Sequence, residues 1–200
     1  MIKMKKLFLI AGIACLCLTG CKSKKQVVYQ APQSGRVEIE IPCKETGFDD
    51  AEYFRGTGTA TSPNQQSARD AALGAAKAII NGKLGGFVQG LSAGYSTAVA
   101  GQSASDKVQR LMEKEMNQVV EHMLNDAEQI CEKLYQLPKD GQYESWISIQ
   151  IPKKEMVDNM EKAISDNEEL EIYFKRNEFR KYAEDKIKEL KDARKEATGK

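Results

Sequence analysis

The chain has 200 residues, 30% of them charged, and a formal net charge of +1. It therefore lacks the basic excess with which proteins bind nucleic acid, and we expect no nucleic-acid partner. Of the five cysteines, two lie beyond the N-terminal stretch, and together with the one histidine they are a poor ligand set, so the sequence predicts neither a metal site nor another cofactor.

The N-terminal stretch begins with a basic head, continues as an apolar run over residues 7–18, and ends in Leu18-Thr19-Gly20-Cys21. This order is typical of a secretory signal, and about 12 apolar residues are too few to span a bilayer as a helix. The cut site resembles a bacterial lipobox, whose cysteine is lipidated. The sequence predicts a lipoprotein signal peptide at 1–20 and lipidation, for example with palmitate, at Cys21. An uncleaved anchor or an ordinary secretory signal is the alternative.

Residues 21–36 are interpreted as the lipidated N-terminus and a tether with several basic residues. It could lie on anionic headgroups or act as a solvated linker. Once the signal is removed and Cys21 is lipidated, Cys43 and Cys131 are the cysteines that remain. A single pair in an oxidising compartment predicts a disulfide bond, and two buried thiols are the alternative.

The first half of the predicted domain is two strands followed by a helix. Residues 37–41 alternate apolar and charged side chains as in a short strand, and residues 52–60 form a second strand that contains Gly56 and Gly58. A helix begins at Gln65 and carries a face of alanines. We expect this face to pack closely on the two glycines.

The following segment has an unusual composition, because the 22 residues between Lys83 and Asp106 carry no charge. Small residues recur every four positions, which is a ladder that permits close helix–helix contact. The ladder consists of Gly82, Gly86, Gly90 and Gly94, and Ala98 continues it. A packed helix, a flexible loop and a membrane or self-association element are the three interpretations.

The second half returns to strand and helix patterns. A helix begins at Asp106, a hairpin joins residues 127–136 to residues 143–151 through Asp140-Gly141, and a helix covers residues 153–165. Beyond it, the alternation of Leu170, Ile172 and Phe174 indicates a short extended segment. A final amphipathic helix starts near Asn177.

These elements predict an α+β fold. A small antiparallel sheet of three to four strands packs on the alanine-rich helix and a second helix, with a C-terminal helical extension. The domain is expected at 37–165, and the charged, mainly helical extension at 166–200.

The run from Phe54 to Ala60, the alanine helix and the strand that follows Asp140-Gly141 together resemble the twenty-kilodalton (LPP-type) bacterial lipoprotein family, in particular members from Bacteroides-like bacteria. The resemblance covers about residues 37–160. It implies a fold and a location at the outer membrane, but no reaction. Lys22-Ser23-Lys24-Lys25 replaces the acidic run that directs similar lipoproteins to the cell surface, which favours the periplasmic side.

The functional expectation is a membrane-anchored cell-envelope lipoprotein with a structural or protein-interaction role. Catalysis needs an oriented base beside a nucleophile, and no such constellation is evident, so we do not expect an enzyme. The expected partners are the membrane, through the N-terminal lipid, and an envelope protein, and the chain could form a homo-oligomer. The alternative function is a self-associating or membrane-active protein that uses the glycine ladder at 82–98.

Overall fold

The structure, a computed structural model, describes residues 40–198, without the side chains of residues 101–104 and 194–198. In chain order its elements are β1 (Tyr53–Ser62), α1 (Gln65–Asn125), β2 (Glu128–Gln136), β3 (Tyr143–Pro152), α2 (Lys153–Ser165), α3 (Glu168–Glu171) and α4 (Arg176–Thr198). The α+β prediction is confirmed. The strand expected at 37–41 lies mostly outside the described residues, and Glu40 and Ile41 are not in a strand.

The sheet is antiparallel in the order β1-β3-β2, so β3 is central and the other two strands are edges. Strand β1 pairs with β3 without interruption, from Tyr53 opposite Pro152 to Ser62 opposite Tyr143. The predicted hairpin joins β2 to β3, and Gly141 in its turn has a φ of 64°, a conformation that glycine adopts without a steric penalty.

One face of the sheet, the inner face, carries the apolar residues that α1 covers. Gly56 lies opposite Ile149 and Gly58 lies opposite Ile147, and both isoleucines are at most 2% exposed. Residues between these positions point to the other side, the outer face, because successive side chains in a strand alternate. There Thr57 Oγ1 and Ser148 Oγ share a hydrogen bond of 2.5 Å.

Helix α1 begins after Asn64, whose side-chain oxygen accepts a hydrogen bond from the backbone N–H of Ser67 at 3.0 Å. Its buried face follows a spacing of four residues through Ala68, Ala72, Ala76 and Ile80, each 0% exposed. A Cβ atom at Gly58 would overlap the backbone of this helix. The predicted contact between alanines and strand glycines is therefore present.

Helix α1 folds back on itself. Ser92 Oγ donates to Glu113 Oε1 at 2.8 Å, although 21 residues of straight helix would separate these positions by about 30 Å. The chain must reverse between them. We call residues 65–100 the first limb and residues 105–125 the second limb. The uncharged segment is thus helical, and the helix predicted from Asp106 is the second limb.

Both limbs contribute to one hydrophobic core together with the sheet and the C-terminal helices. From the second limb it contains Met112 and Met116, each at most 1% exposed, and from the residues beyond 165 it contains Leu170, Phe179 and Ala183. The charged C-terminal extension therefore packs against the same core as the sheet.

The prediction of an extended segment around Leu170, Ile172 and Phe174 is wrong, because the short helix α3 covers Glu168–Glu171. The side chain of Asn167 accepts hydrogen bonds from the backbone N–H groups of Glu169 and Leu170, which satisfies the first turn. Leu170 is buried whereas Ile172 is 79% exposed, so the alternation in sequence does not correspond to one buried strand face.

Candidate functional site

Residues 40–52, which we call the entry segment, precede β1 and lie against the outer face of the sheet. The structure joins Cys43 of this segment to Cys131 of β2 by a disulfide bond, with 5.9 Å between their Cα atoms. Ser148 Oγ also donates to the backbone oxygen of Cys43 at 3.5 Å. These are the two cysteines that the sequence predicted to pair.

A β-bulge in β2 brings Cys131 to the correct face. The pairing with β3 shifts between Gln129 and Cys131, so that Cys131 lies opposite Ser148. If Ile130 instead paired with Ser148 in a regular ladder, Cys131 would lie opposite Ile147, on the inner face beneath the helix. Cys43 itself has a φ of 59°, which is uncommon for a residue other than glycine. Both backbone features bring the two thiols together.

The far end of the entry segment is held by an ionic cluster. Arg55 Nη1 lies 2.8 Å from Asp50 Oδ2, and Arg55 Nε donates to Gln150 Oε1 at 3.0 Å. Lys83 Nζ, from the first limb of α1, lies 2.9 Å from Asp49 Oδ1 and donates to the backbone oxygen of Arg55 at 2.5 Å. Segment, strand and helix therefore meet at one set of paired charges.

The pKa of Asp50 lies below its ordinary value of 3.8. Burial raises this pKa, but hydrogen bonds from the backbone N–H groups of Glu52 and Tyr53 and the charge of Arg55 lower it by more. The hydrogen bonds from these backbone N–H groups thus favour the charged form of the carboxylate. Its part in folding is to fix the turn into β1.

An Asp50→Asn variant should show the pH dependence that follows from this lowered pKa. Because the folded-state pKa lies below the unfolded one, the carboxylate stabilises the fold at pH values above about 4, and this contribution is lost as the pH falls through the folded-state value. Urea unfolding at about pH 7 should find the variant less stable than the wild type, and the difference between their free energies of unfolding should become smaller at about pH 3. A difference that stays constant with pH would contradict a lowered pKa of Asp50.

A second ionic cluster joins α2 to α4 and was not predicted. The Glu161 side chain is 7% exposed, and its two carboxylate oxygens lie 2.6 Å from Arg176 Nε and 2.5 Å from Arg180 Nε. Arg180 also contacts Asp158, whose pKa is lowered by the hydrogen bond from Lys154 and by the charge of Arg180. The two arginines are four residues apart and share one face of α4, which was the available sequence signal.

The predicted glycine ladder is divided into two parts. At Gly90 an added Cβ would overlap the Lys186 side chain, and at Gly94 it would lie 3.4 Å from the Tyr182 ring, so these two glycines pack against α4. At Gly82 and Gly86 no described atom beyond the adjacent residues and the nearby backbone of the same helix lies within 4 Å of an added Cβ. The ladder therefore acts as a packing surface over half of its length, and the other half is open.

Cys21 lies outside the described residues. The single histidine of the chain, His122, is 78% exposed and approaches Asp126, the residue that follows the second limb. Within residues 40–198, no group of three or more His, Cys, Asp or Glu side chains is placed to hold a metal ion. The disulfide bond and the ionic cluster at the entry segment join side chains from distant parts of the sequence.

None of the helices in the described part of the chain combines the length and the hydropathy needed to cross a membrane. Comparison with protein-family models, with curated proteins and with solved structures finds no match.

Proposed function

We propose that this protein is a cell-envelope lipoprotein, attached to the outer membrane through lipid on Cys21 and facing the periplasm, with a structural or protein-interaction role. The observation that carries the proposal is the order of basic head, short apolar run and Leu18-Thr19-Gly20-Cys21. Several acyl chains on one residue provide stable anchoring, because each buried CH₂ contributes about 0.8 kcal/mol. The resemblance to the twenty-kilodalton lipoprotein family supports the same location.

The disulfide bond supports export by a separate argument. Such bonds persist in oxidising compartments and are rare in the cytosol, where thiols are kept reduced. The bond between Cys43 and Cys131 is built into the fold through the bulge at Ile130 and the bend at Cys43. A domain of this design suits the periplasm.

A structural or interaction role is supported by how the charged groups of the two clusters are used. Asp49 and Asp50 are paired with Lys83 and Arg55, and Glu161 is paired with two arginines. Each of these carboxylates joins one element of the fold to another. Such pairs fix a surface in one shape, which suits the presentation of that surface to a partner.

The Cys21→Ser variant tests the anchor. We expect cells grown with labelled palmitate to mark the wild-type protein and the Cys43→Ser variant, and to leave Cys21→Ser unmarked and released from the membrane fraction. The Cys43→Ser variant is the matched control, because it removes a thiol from the same chain without touching the lipobox. Membrane attachment of Cys21→Ser equal to that of the wild type would refute the proposal.

Self-association through the glycine ladder is the second candidate. The open space above Gly82 and Gly86 favours it, since a neighbouring helix could approach closely there. The contacts that Gly90 and Gly94 make with α4 restrict the surface to these two glycines. If the ladder holds copies together, Gly86→Leu should remove the oligomers seen in sedimentation, and oligomers that survive it would end this alternative.

A further inference from the structure

The two edges of the sheet are protected to different degrees. Strand β2 carries Glu128, Glu132 and Lys133 and a bulge, features that discourage the addition of another strand. In β1, the half from Thr57 to Ser62 has no charge, no proline and no break in its pairing with β3. This half of β1 is therefore the less protected edge.

The backbone of this half of β1 presents hydrogen-bonding groups with which no described residue pairs. The N–H of Arg55 donates to Asp49 Oδ1 at 2.6 Å, and its C=O accepts from Lys83, so the backbone groups of Arg55 point away from β3. Because strand geometry repeats every two residues, those of Thr57, Thr59 and Thr61 point the same way. Among the described residues, none forms a hydrogen bond with these groups.

We propose that β1 of a second copy of this chain pairs antiparallel with this edge, about a two-fold axis at Thr59. The sequence Thr57-Gly58-Thr59-Ala60-Thr61 suits such self-pairing, because it reads nearly the same in both directions. Thr59 would lie opposite Thr59 of the second copy, and Thr57 opposite Thr61. Threonine pairs across antiparallel strands are favourable, and no like charges meet.

The surface beside the edge fits the same partner. Ile79, on the first limb of α1, is 45% exposed and lies beside Gly56, and Ala75 lies beside Gly58. An exposed large apolar side chain next to an open strand edge would be covered when a second sheet continues the first. The small alanine would allow the neighbouring helix to approach.

The strand predicted at 37–41 is a less suitable occupant. It leads into Cys43, which is bonded to β2 at the opposite edge of the sheet, with β3 in between. It also carries Glu38 and Glu40, and the half of β1 from Thr57 to Ser62 contains no basic residue to pair with them. A second β1 is favoured on both counts.

Oxidative cross-linking of the full chain tests the two-fold axis. In the proposed pairing the two Thr59 Cα atoms are about 5.5 Å apart, which is within the range of a disulfide bond. Thr59→Cys should give a cross-linked dimer in a yield well above that of the wild type, whose own cysteines set the background. Thr61→Cys is the matched control, because its counterpart is Thr57 and the new thiols are about 13 Å apart. Absence of the Thr59→Cys dimer, or equal yields at the two positions, would overturn the proposal.

Sedimentation of the full chain over a dilution series provides the second measurement. Thr59→Pro removes the outward N–H, and an edge strand tolerates proline there, so we expect this variant to sediment as a monomer while Thr59→Ser dimerises. Circular dichroism checks its fold, and Thr59→Lys, which places two like charges at the axis, replaces it if proline unfolds the chain. Dimers lost in Gly86→Leu but kept in the folded Thr59 variant would overturn the proposal and assign the contact to the ladder.

Discussion

Replacement of both Cys43 and Cys131 by serine is expected to lower the free energy of unfolding by about 4–5 kcal/mol. The bond closes a loop with a sequence separation of 88 residues, and the entropy that such a closure removes from the unfolded chain grows with loop length. The double variant avoids leaving one unpaired thiol. Urea unfolding of the purified chain, monitored by circular dichroism, measures the difference.

Urea unfolding of both proteins in the presence of a thiol reductant is the control. A thiol reductant should move the wild-type unfolding midpoint to that of the double serine variant and leave the variant unchanged. A wild-type midpoint that does not respond, although alkylation shows both thiols to be free, would contradict the prediction. It would mean that the ionic cluster of Asp49, Asp50, Arg55 and Lys83 holds the entry segment without the bond.

The Gly58→Val variant is expected to be destabilised by roughly 3 kcal/mol. Even a single Cβ at this position would overlap Ala72 O and Ala76 N of α1, and backbone atoms cannot move aside as a flexible side chain can. The sheet and the first limb would have to separate. Thermal unfolding followed by circular dichroism gives the change in stability.

The Gly82→Ala variant is the matched control, with the opposite expected sign. An added Cβ there meets no described atom within 4 Å beyond the adjacent residues and the nearby backbone of its own helix, and alanine is favoured over glycine in a helix interior by about 1 kcal/mol. We therefore expect a small gain in stability. Equal losses at positions 58 and 82 would show that close packing on α1 is not the cause.

The local elements could be predicted because each has a signal in adjacent residues. The alternation in β3 ends at Pro152, and α2 begins at the next residue, where the sequence placed it. The contact between Gly58 and the alanine face also followed from residue size alone. The period of apolar residues, the residues of a turn and the volumes of side chains can all be read from a short stretch of sequence.

The reversal of α1 has no comparable signal. The spacing of small and apolar residues continues through the uncharged segment, and no proline interrupts it. What fixes the reversal is contact between distant residues, such as the hydrogen bond from Ser92 to Glu113 and the shared core beneath the sheet. The spacing of residues in a short stretch of sequence predicts a helix, but it does not predict where the helix axis reverses.

The ionic cluster at the entry segment was missed for a related reason. Asp49, Arg55, Lys83 and Gln150 belong to four different parts of the sequence, and no motif connects them. Charged residues are frequent in this chain, so the sequence offers many pairings. The fold selects among them by bringing the entry segment, β1 and the first limb to one place.

The position of the disulfide bond determines how mechanical tension passes through the molecule. A pull applied to the residues before Cys43 reaches β2 through the disulfide bond between Cys43 and Cys131. Residues 44–130, which include β1 and both limbs of α1, form a covalent side loop outside this route. Stretching the chain between its N-terminal side and α4 would therefore strain the hairpin of β2 and β3 and the C-terminal helices, and would leave the side loop unextended as long as the bond is intact.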